Sequence, residues 1–146
     1  MARARLEPRD DREVYVVPLQ VRPEHIDENG HVNNVVYVRW LQEVGTAHWT
    51  ARFDAETRAR WSWVASRHEV DYFRALPPGA KPVARTWVGE PQGARFNRYV
   101  RIENEDGQLC AQGVSEWVLV DSETMRPSRI PPGMIAPFGP APLNRA

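Results

Sequence analysis

The sequence predicts an α+β domain in which one long helix packs against a five-stranded, mainly antiparallel sheet. Only the segment that begins near Asn34 repeats apolar residues with a helical period over several turns. A segment rich in β-branched residues precedes it, and four strand-like segments separated by turn signals follow it. A long amphipathic helix beside such a sheet buries its apolar face by packing across the sheet. The length of 146 residues fits one domain.

The first strand is predicted within residues 13–22, and the helix follows it. Pro18 has no N–H for a sheet ladder, so this strand is expected at an edge or to contain a bulge. Asn33 or Asn34 is suited to be the N-cap of a helix of about four turns. The apolar side of the helix consists of Val36, Tyr37, Trp40, Leu41, Val44, Ala47 and His48, and the polar side of Arg39, Gln42 and Glu43.

The four later strands are predicted within residues 62–76, 80–90, 94–105 and 108–121. The sequences LPPG, EPQG and NEDG mark the turns between them, and the Asp-Gly pair in the last is typical of a hairpin. A short helical turn is expected at DAETRARW, just before these strands. In the third of them, alternation places Phe96, Arg98, Val100 and Ile102 on one face and Asn97, Tyr99, Arg101 and Glu103 on the other.

The domain is expected to cover residues 1–146, with its core at about 13–122. The remaining tail, residues 123–146, is rich in proline. Because proline cannot continue a helix or a central strand, we expect this tail to run extended over the surface.

Composition excludes several classes of protein. The formal net charge is zero, which argues against nucleic acid as a partner. No apolar run approaches the roughly 20 residues that span a bilayer, and the N-terminus lacks the apolar segment of a secretion signal, so a cytoplasmic protein without a membrane partner is predicted. Cys110 is the only cysteine and is expected to be a small strand residue. His48 and His68 show no ligand spacing, so no metal site is predicted.

Polar chemistry is concentrated in HIDENGHVNNVVY, residues 25–37, where the long helix begins. Asp27 can act as a general base or a nucleophile, and Asn29 and His31 alternate with it along the chain, so an extended loop would project all three to one side. The N-terminus of the helix can stabilise an oxyanion. Each residue alone also fits an ordinary turn, cap or structural role. Together they predict an acyl-transfer site.

The pattern D-x-N-x-H-V-N-N-x-x-Y, from Asp27 to Tyr37, resembles the signature of hotdog-fold thioesterases. The resemblance is to the acyl-ACP thioesterases and to the acyl-CoA hydrolases that are similar to 4-hydroxybenzoyl-CoA thioesterase. It continues in HEVDYFRALPPG, FNRYVRIENEDGQLCAQGVSEWVLVD and RPSRIPPGMI, and so covers about residues 13 to 135. It implies a single hotdog domain that hydrolyses an acyl-CoA or acyl-ACP thioester to a free acid and a thiol, without a cofactor.

The resemblance also implies roles for individual residues. Asp27 takes the position of the catalytic aspartate, and Asn29 and His31 take the positions of residues that assist it. Val35 and Val36, near the helix N-terminus, become candidate backbone donors to an oxyanion. The family binds its thioester across a dimer interface, which implies a homodimer or homotetramer. An unpaired sheet edge would also favour pairing with a second copy.

The chain departs from the family pattern at two places. Many relatives carry a second acid where this chain has His25, and the plant acyl-ACP enzymes carry a Glu-Cys pair where this chain has Ala75 and Leu76. Some branches use a glutamate of the long helix, for which Glu43 is the available residue, although its position on the polar side also fits a solvated surface residue.

Two further questions stay open in the sequence. Arg95 and Arg98 are candidates to bind substrate phosphates, and a solvated charged face is the alternative for both. The alternatives to a hydrolase are a hydratase or dehydratase that acts on acyl thioesters, and a non-catalytic module that binds them.

Overall fold

Five antiparallel strands form one sheet in the computed structural model, which describes residues 4–139. Along the chain, β1 (Tyr15–Pro18) is followed by the helices α1 (Asn34–Arg52) and α2 (Ala55–Arg60). Strands β2 (Trp61–Tyr72), β3 (Val83–Val88), β4 (Arg95–Glu103) and β5 (Leu109–Asp121) come next. The spatial order is β1-β3-β4-β5-β2. The predicted α+β architecture of one long helix and a five-stranded sheet is therefore confirmed.

Helix α1 packs its apolar side against the sheet, as its periodicity predicts. Asn33 is the N-cap, because its side-chain oxygen accepts a hydrogen bond from the Val35 N–H at 2.9 Å. A Cβ added to Gly113 of β5 would lie 2.6 Å from Leu41 Cδ1, so a glycine is needed there for helix and sheet to approach this closely. The buried residues of the helix are Val36, Tyr37, Trp40, Leu41, Val44, Gly45 and His48.

The two edges of the sheet are β1 and β2. Pro18 lies in β1, at the edge that its missing N–H favours. Strand β2 is 12 residues long and pairs only with β5 in the part of the chain that the structure describes. One whole side of a long strand is therefore left without a ladder partner within residues 4–139.

The outer face of the sheet is covered in part by residues 4–7, which the sequence did not predict. The carbonyl of Leu6 accepts a hydrogen bond from Arg101 Nη1 at 3.2 Å, and its N–H donates to Gln112 Oε1 at 2.9 Å. Arg5 pairs with Glu103 at 2.8 Å. As a result, the charged side chains of Arg101 and Glu103 are buried although they lie on the face away from α1.

The proline-rich tail packs into the protein, and the expectation of an extended surface run is wrong for residues 130–138. Two 3-10 turns, Pro132–Met134 and Ala136–Phe138, fold it back. Proline starts such turns readily because its fixed φ suits the first turn of a helix. The turns bury Ile130, Met134, Ile135 and Phe138 in a cluster with Phe53, Phe96 and Trp117. Residues 140–146 lie outside the described residues.

Two smaller findings concern Cys110 and the lengths of the helices. Cys110 is buried in β5, and burial raises the pKa of its thiol. Among the helices of residues 4–139, none is both long and apolar enough to cross a membrane.

Candidate active site

The loop that precedes α1 closes on itself and holds Asp27 in a fixed position. Ile26 and Val32 form an antiparallel bridge at its base. The Asp27 N–H donates to the His31 carbonyl at 3.0 Å, and the Gly30 N–H donates to the Asp27 carbonyl at 3.0 Å. Gly30 has φ +79°, in the left-handed region that favours glycine. A tight turn thus places residues 27–31 beside the start of the helix.

The Asp27 carboxylate accepts two hydrogen bonds within this loop. One oxygen accepts from the Asn29 N–H at 2.9 Å, and the other accepts from the Asn33 side-chain amide at 3.2 Å. The Asn33 amide therefore has two tasks, since its oxygen also caps the helix. The sequence assigned Asn33 only to the helix start, and the structure adds its contact with Asp27.

A groove of 380 Å³ opens beside Asp27, between the loop and the chain that follows β2. Asp27, Asn29 and His31 all line it, so the three residues predicted to be catalytic lie along one groove. The side chains of Asn29 and His31 are exposed, whereas Asp27 is half-buried. The opposite wall consists of Tyr72, Phe73, Arg74 and Ala75. Of these, the sequence singled out only Ala75, as one of the two positions where the plant enzymes carry a Glu-Cys pair.

Tyrosines connect the two walls of the groove. The Tyr72 hydroxyl donates to the Asn34 carbonyl at 2.9 Å, and its ring meets that of Tyr37 edge-on at 5.2 Å. Burial raises the pKa of Tyr37 to about 12 and also raises the pKa of Tyr72. Both side chains are therefore neutral hydrogen-bonding groups at physiological pH.

The helix N-terminus reaches the groove, but its predicted donors are occupied. The Val35 N–H donates to the Asn33 side chain at 2.9 Å and the Val36 N–H donates to the Asn33 carbonyl at 3.0 Å. For the Asn34 N–H we find no acceptor among residues 4–139, and Asn34 lines the groove. Asn34 thus replaces Val35 and Val36 as the available donor of the first turn.

The other predicted site residues lie away from this groove. Glu43 is exposed on the polar side of α1 and lines two different surface grooves. Arg95 is exposed and pairs with Glu116 at 3.0 Å. Arg98 is 3% exposed, donates to His48 and Thr86 inside the protein and does not line the Asp27 groove. The basic residue that lines the groove is Arg74.

His25, which stands where many relatives have an acid, has a structural role. Its Nδ1 accepts a hydrogen bond from the Arg22 N–H at 3.0 Å, and its ring packs edge-on against Trp40 at 5.6 Å. Its carbonyl accepts from the Asn33 N–H at 2.9 Å. The imidazole therefore fastens the segment before the loop to α1.

No group of three or more His, Cys, Asp or Glu side chains that could hold a metal ion occurs within residues 4–139.

Comparison with known proteins identifies a family for most of the chain. The family model of the thioesterase-like superfamily matches residues 21–138, which include the Asp27 loop, α1 and the whole sheet except β1.

Solved structures with the same fold come from several bacteria. A Staphylococcus aureus hypothetical protein in complex with CoA matches with a TM-score of 0.75 at 15% identity, over 90% of this chain and 85% of that one. A 1,4-dihydroxy-2-naphthoyl-CoA thioesterase from Synechocystis matches with a TM-score of 0.73 at 15% identity, over 85% and 95% of the two chains. A predicted thioesterase from Bacillus stearothermophilus matches with a TM-score of 0.74 at 24% identity, over 86% and 94%.

Proposed function

Because the chain belongs to the thioesterase-like superfamily, we propose that it hydrolyses acyl thioesters in the groove beside Asp27. One observation carries the proposal. The Asp27 carboxylate is held by two N–H donors at the edge of a groove that also receives the N-terminus of α1. A fixed carboxylate can activate water or attack a thioester carbonyl, and the positive end of a helix beside it can stabilise the oxyanion that forms.

Asp27 acts on the thioester carbonyl in one of two ways. As a general base, it accepts a proton from a water molecule whose oxygen attacks the carbonyl carbon. As a nucleophile, it attacks that carbon itself and forms an anhydride that water then cleaves. In both cases the C–S bond breaks, the sulfur leaves as a thiol after it gains a proton, and the acyl group leaves as a carboxylic acid.

Backbone groups at the start of α1 stabilise the oxyanion that forms during the attack. The Asn34 N–H is the donor available in the free protein, and the helix dipole adds partial positive charge there. The Val35 N–H joins it if the Asn33 cap opens when substrate binds. Glu43 has no part in this mechanism, since it lines other grooves.

Asn29 and His31 position Asp27 and the attacking water. The Asn29 N–H holds one carboxylate oxygen, and the His31 carbonyl accepts the Asp27 N–H, so both residues fix the acid through the backbone. Their exposed side chains line the groove and are free to contact water or the substrate.

Coenzyme A is the carrier that we favour over acyl carrier protein. Arg74 lines the groove and presents a guanidinium group suited to phosphate. A protein of the same fold has been solved in complex with CoA. Arg95 and Arg98 are not needed for this contact, because one is paired and the other is buried.

The active form is proposed to be a homodimer or a larger homo-oligomer. The free side of β2 offers a long unpaired edge, and Tyr72 and Phe73, at the end of this strand, are exposed beside the groove. A second copy paired at this edge would lie next to the groove and help to enclose the substrate.

A thiol-release assay tests the proposed function. Aliphatic, aromatic and β-keto acyl-CoAs and one acyl-ACP are each incubated with the protein, and an enoyl-CoA is followed by absorbance in parallel. We expect release of CoA thiol from at least one acyl-CoA class. Hydration of the enoyl-CoA without thiol release would show a hydratase, and binding of acyl-CoA without turnover would show a binding module. Either result would contradict the proposal.

A further inference from the structure

A second cavity, of 250 Å³, lies at the opposite end of α1 from the Asp27 groove. It is open to solvent on one side and is lined by α1, α2, the first residues of β2 and residues of β4 and β5, with Gly45 and Thr46 as part of its wall. Gly45 lies about 16 Å along the helix from Asn34, so the two sites are separate within one chain. The rings that line the cavity are Trp49, Trp61, Trp63, Phe96 and Trp117.

Arg98 lines this cavity from the core side with part of its guanidinium unused. Its Nη1 donates to His48 Nδ1 and to Thr86 Oγ1, both at 3.0 Å. The Nε and Nη2 groups make no hydrogen bond with any residue of the described chain. These groups keep three N–H donors, in the planar arrangement that suits the two oxygens of a carboxylate.

The charge of Arg98 has no direct acidic partner within residues 4–139. The nearest link to a carboxylate runs through His48, whose Nε2 lies 2.7 Å from Glu13 Oε1. Burial and the nearby Arg98 lower the pKa of His48 to about 4, so the imidazole is neutral. Its Nε2–H therefore donates to Glu13 while Nδ1 accepts from Arg98. A buried cation without a carboxylate in contact favours an anion beside it.

Two tryptophans of the cavity wall also have indole N–H groups without a partner in the described chain, but these nitrogens are shielded from the cavity itself. Trp63 Nε1 and Trp117 Nε1 are both buried and have no hydrogen-bond partner among residues 4–139. The other charged residue on the wall is Arg58, and no acidic side chain from the described part of the chain lines the cavity.

We propose that this cavity is a binding site for a small carboxylic acid with a single aromatic or alicyclic ring. The carboxylate binds Arg98 through Nε and Nη2, while the ring packs among the tryptophans. An apolar cavity of about 150 Å³ can hold benzene, so 250 Å³ gives room for one ring and a carboxylate. The site does not depend on the thioesterase activity proposed above.

Titration with benzoate tests the proposal, because four tryptophans line the cavity and report its occupancy. Tryptophan fluorescence and calorimetry at pH 7 should both show saturable binding of benzoate with one site per chain. Benzamide has the same ring and shape without the charge, and we expect it to bind at least tenfold more weakly. Equal binding of the two compounds, or no saturable binding of benzoate, would overturn the proposal.

A matched pair of variants locates the site. Thr46 is exposed and lines the cavity, so Thr46→Phe should block it and abolish benzoate binding. Thr50 is exposed about one turn further along α1 and lines a different groove, so Thr50→Phe should bind benzoate like the wild type. Unchanged binding by Thr46→Phe would overturn the proposal.

Two further variants distinguish this cavity from the Asp27 groove and test the role of the Arg98 guanidinium. Asp27→Asn should leave benzoate binding unchanged, and a loss of binding would place benzoate in the Asp27 groove instead. Arg98→Lys keeps the charge and loses the planar pair of donors, so we expect at least tenfold weaker binding. A circular dichroism melt checks that each variant is folded. If Arg98→Lys does not fold, the comparison of Thr46→Phe with Thr50→Phe decides whether benzoate binds in this cavity.

Discussion

Asn33 connects the start of α1 with the acid of the groove. Its side-chain oxygen caps the Val35 N–H, and its side-chain amide donates to the Asp27 carboxylate. One side chain therefore stabilises the helix and orients Asp27. The two tasks use different atoms, so substitutions can separate them.

Asn33→Ala and Asn33→Asp should differ in stability more than in activity. Alanine loses the cap, and we expect the free energy of unfolding to fall by about 1 kcal/mol. Aspartate keeps a capping oxygen but has no N–H for Asp27, so stability should change less while turnover falls at least tenfold. Denaturant unfolding and thiol release measure the two effects. If Asn33→Asp hydrolysed substrate at the wild-type rate, the contact with Asp27 would have no role in turnover.

His48 makes stability depend on pH. Its pKa of about 4 in the folded protein, lowered by burial and then by Arg98, lies below the ordinary value of 6.5 that holds when the chain is unfolded. The unfolded state therefore binds a proton between these values and the folded state does not. Stability is full above pH 6.5 and falls by about 3 kcal/mol as the pH falls to 4.

Unfolding in urea at several pH values, for the wild type and His48→Gln, measures this effect. The glutamine side chain has an oxygen that can accept from Arg98 and an N–H that can donate to Glu13, but it does not gain a proton in this pH range. The stability of His48→Gln should therefore fall less steeply than that of the wild type from pH 6.5 to 4. Glu13 also has a lowered pKa, mainly through its hydrogen bond with Arg52. Both proteins therefore lose further stability as the pH falls below 4.5, the ordinary pKa of a glutamate, and Glu13 gains a proton. Parallel curves for the two proteins between pH 6.5 and 4 would exclude this role of His48.

The sequence identified the residues of the site that are close together along the chain. Asp27, Asn29 and His31 share one short loop, and the sequence of this loop resembles the signature of hotdog-fold thioesterases. Tyr72 and Arg74 lie some 40 residues away, and only the register of β2 against β5 brings them to the groove. Arg98 alternates on one strand face with Phe96, Val100 and Ile102, and this pattern predicts the burial that the structure shows instead of a surface phosphate ligand.

At the scale of elements, the presence and order of α1 and of the strands followed from periodicity, but their ends did not. The first strand, predicted within residues 13–22, covers only Tyr15–Pro18. Helix α1 has 19 residues, one turn more than the four predicted. The tail departs from its expected surface course because its prolines exclude regular structure but do not exclude packing. Its apolar residues Ile130, Met134, Ile135 and Phe138 all become buried.

Phe138 should be the residue of the tail that contributes most to stability. It is fully buried, its ring lies 4.6 Å from His48 and 5.1 Å from Phe53, and the Arg98 guanidinium lies 5.2 Å from its centroid. Phe138→Ala should therefore lower the free energy of unfolding by about 3 to 5 kcal/mol. The control Arg129→Ala changes an exposed side chain of the same tail and should stay within about 0.5 kcal/mol of the wild type. Equal stability of the two variants in urea would contradict the packing of the tail.

For the whole molecule, the unpaired edge of β2 leads to a prediction about assembly. Light scattering should give at least twice the chain mass of 16.8 kDa. Val64 is exposed at 43% on β2, and Val64→Lys places a charge on the edge strand, so it should weaken self-association and activity together. Arg67, a charged and exposed residue of the same strand, provides the control Arg67→Lys. A wild-type monomer that hydrolyses acyl-CoA would contradict the proposed assembly.

The central claim is that Asp27 carries out the hydrolysis of an acyl thioester, and kcat/KM of Asp27→Asn tests it most directly. Glu28 is the matched control, because it is the next residue of the same loop, carries the same charge, is exposed and does not line the groove. With the best acyl-CoA of the thiol-release screen, Asp27→Asn should lose a factor of about 10² to 10⁴, while Glu28→Gln stays within about twofold of the wild type. Wild-type turnover by folded Asp27→Asn would contradict the account.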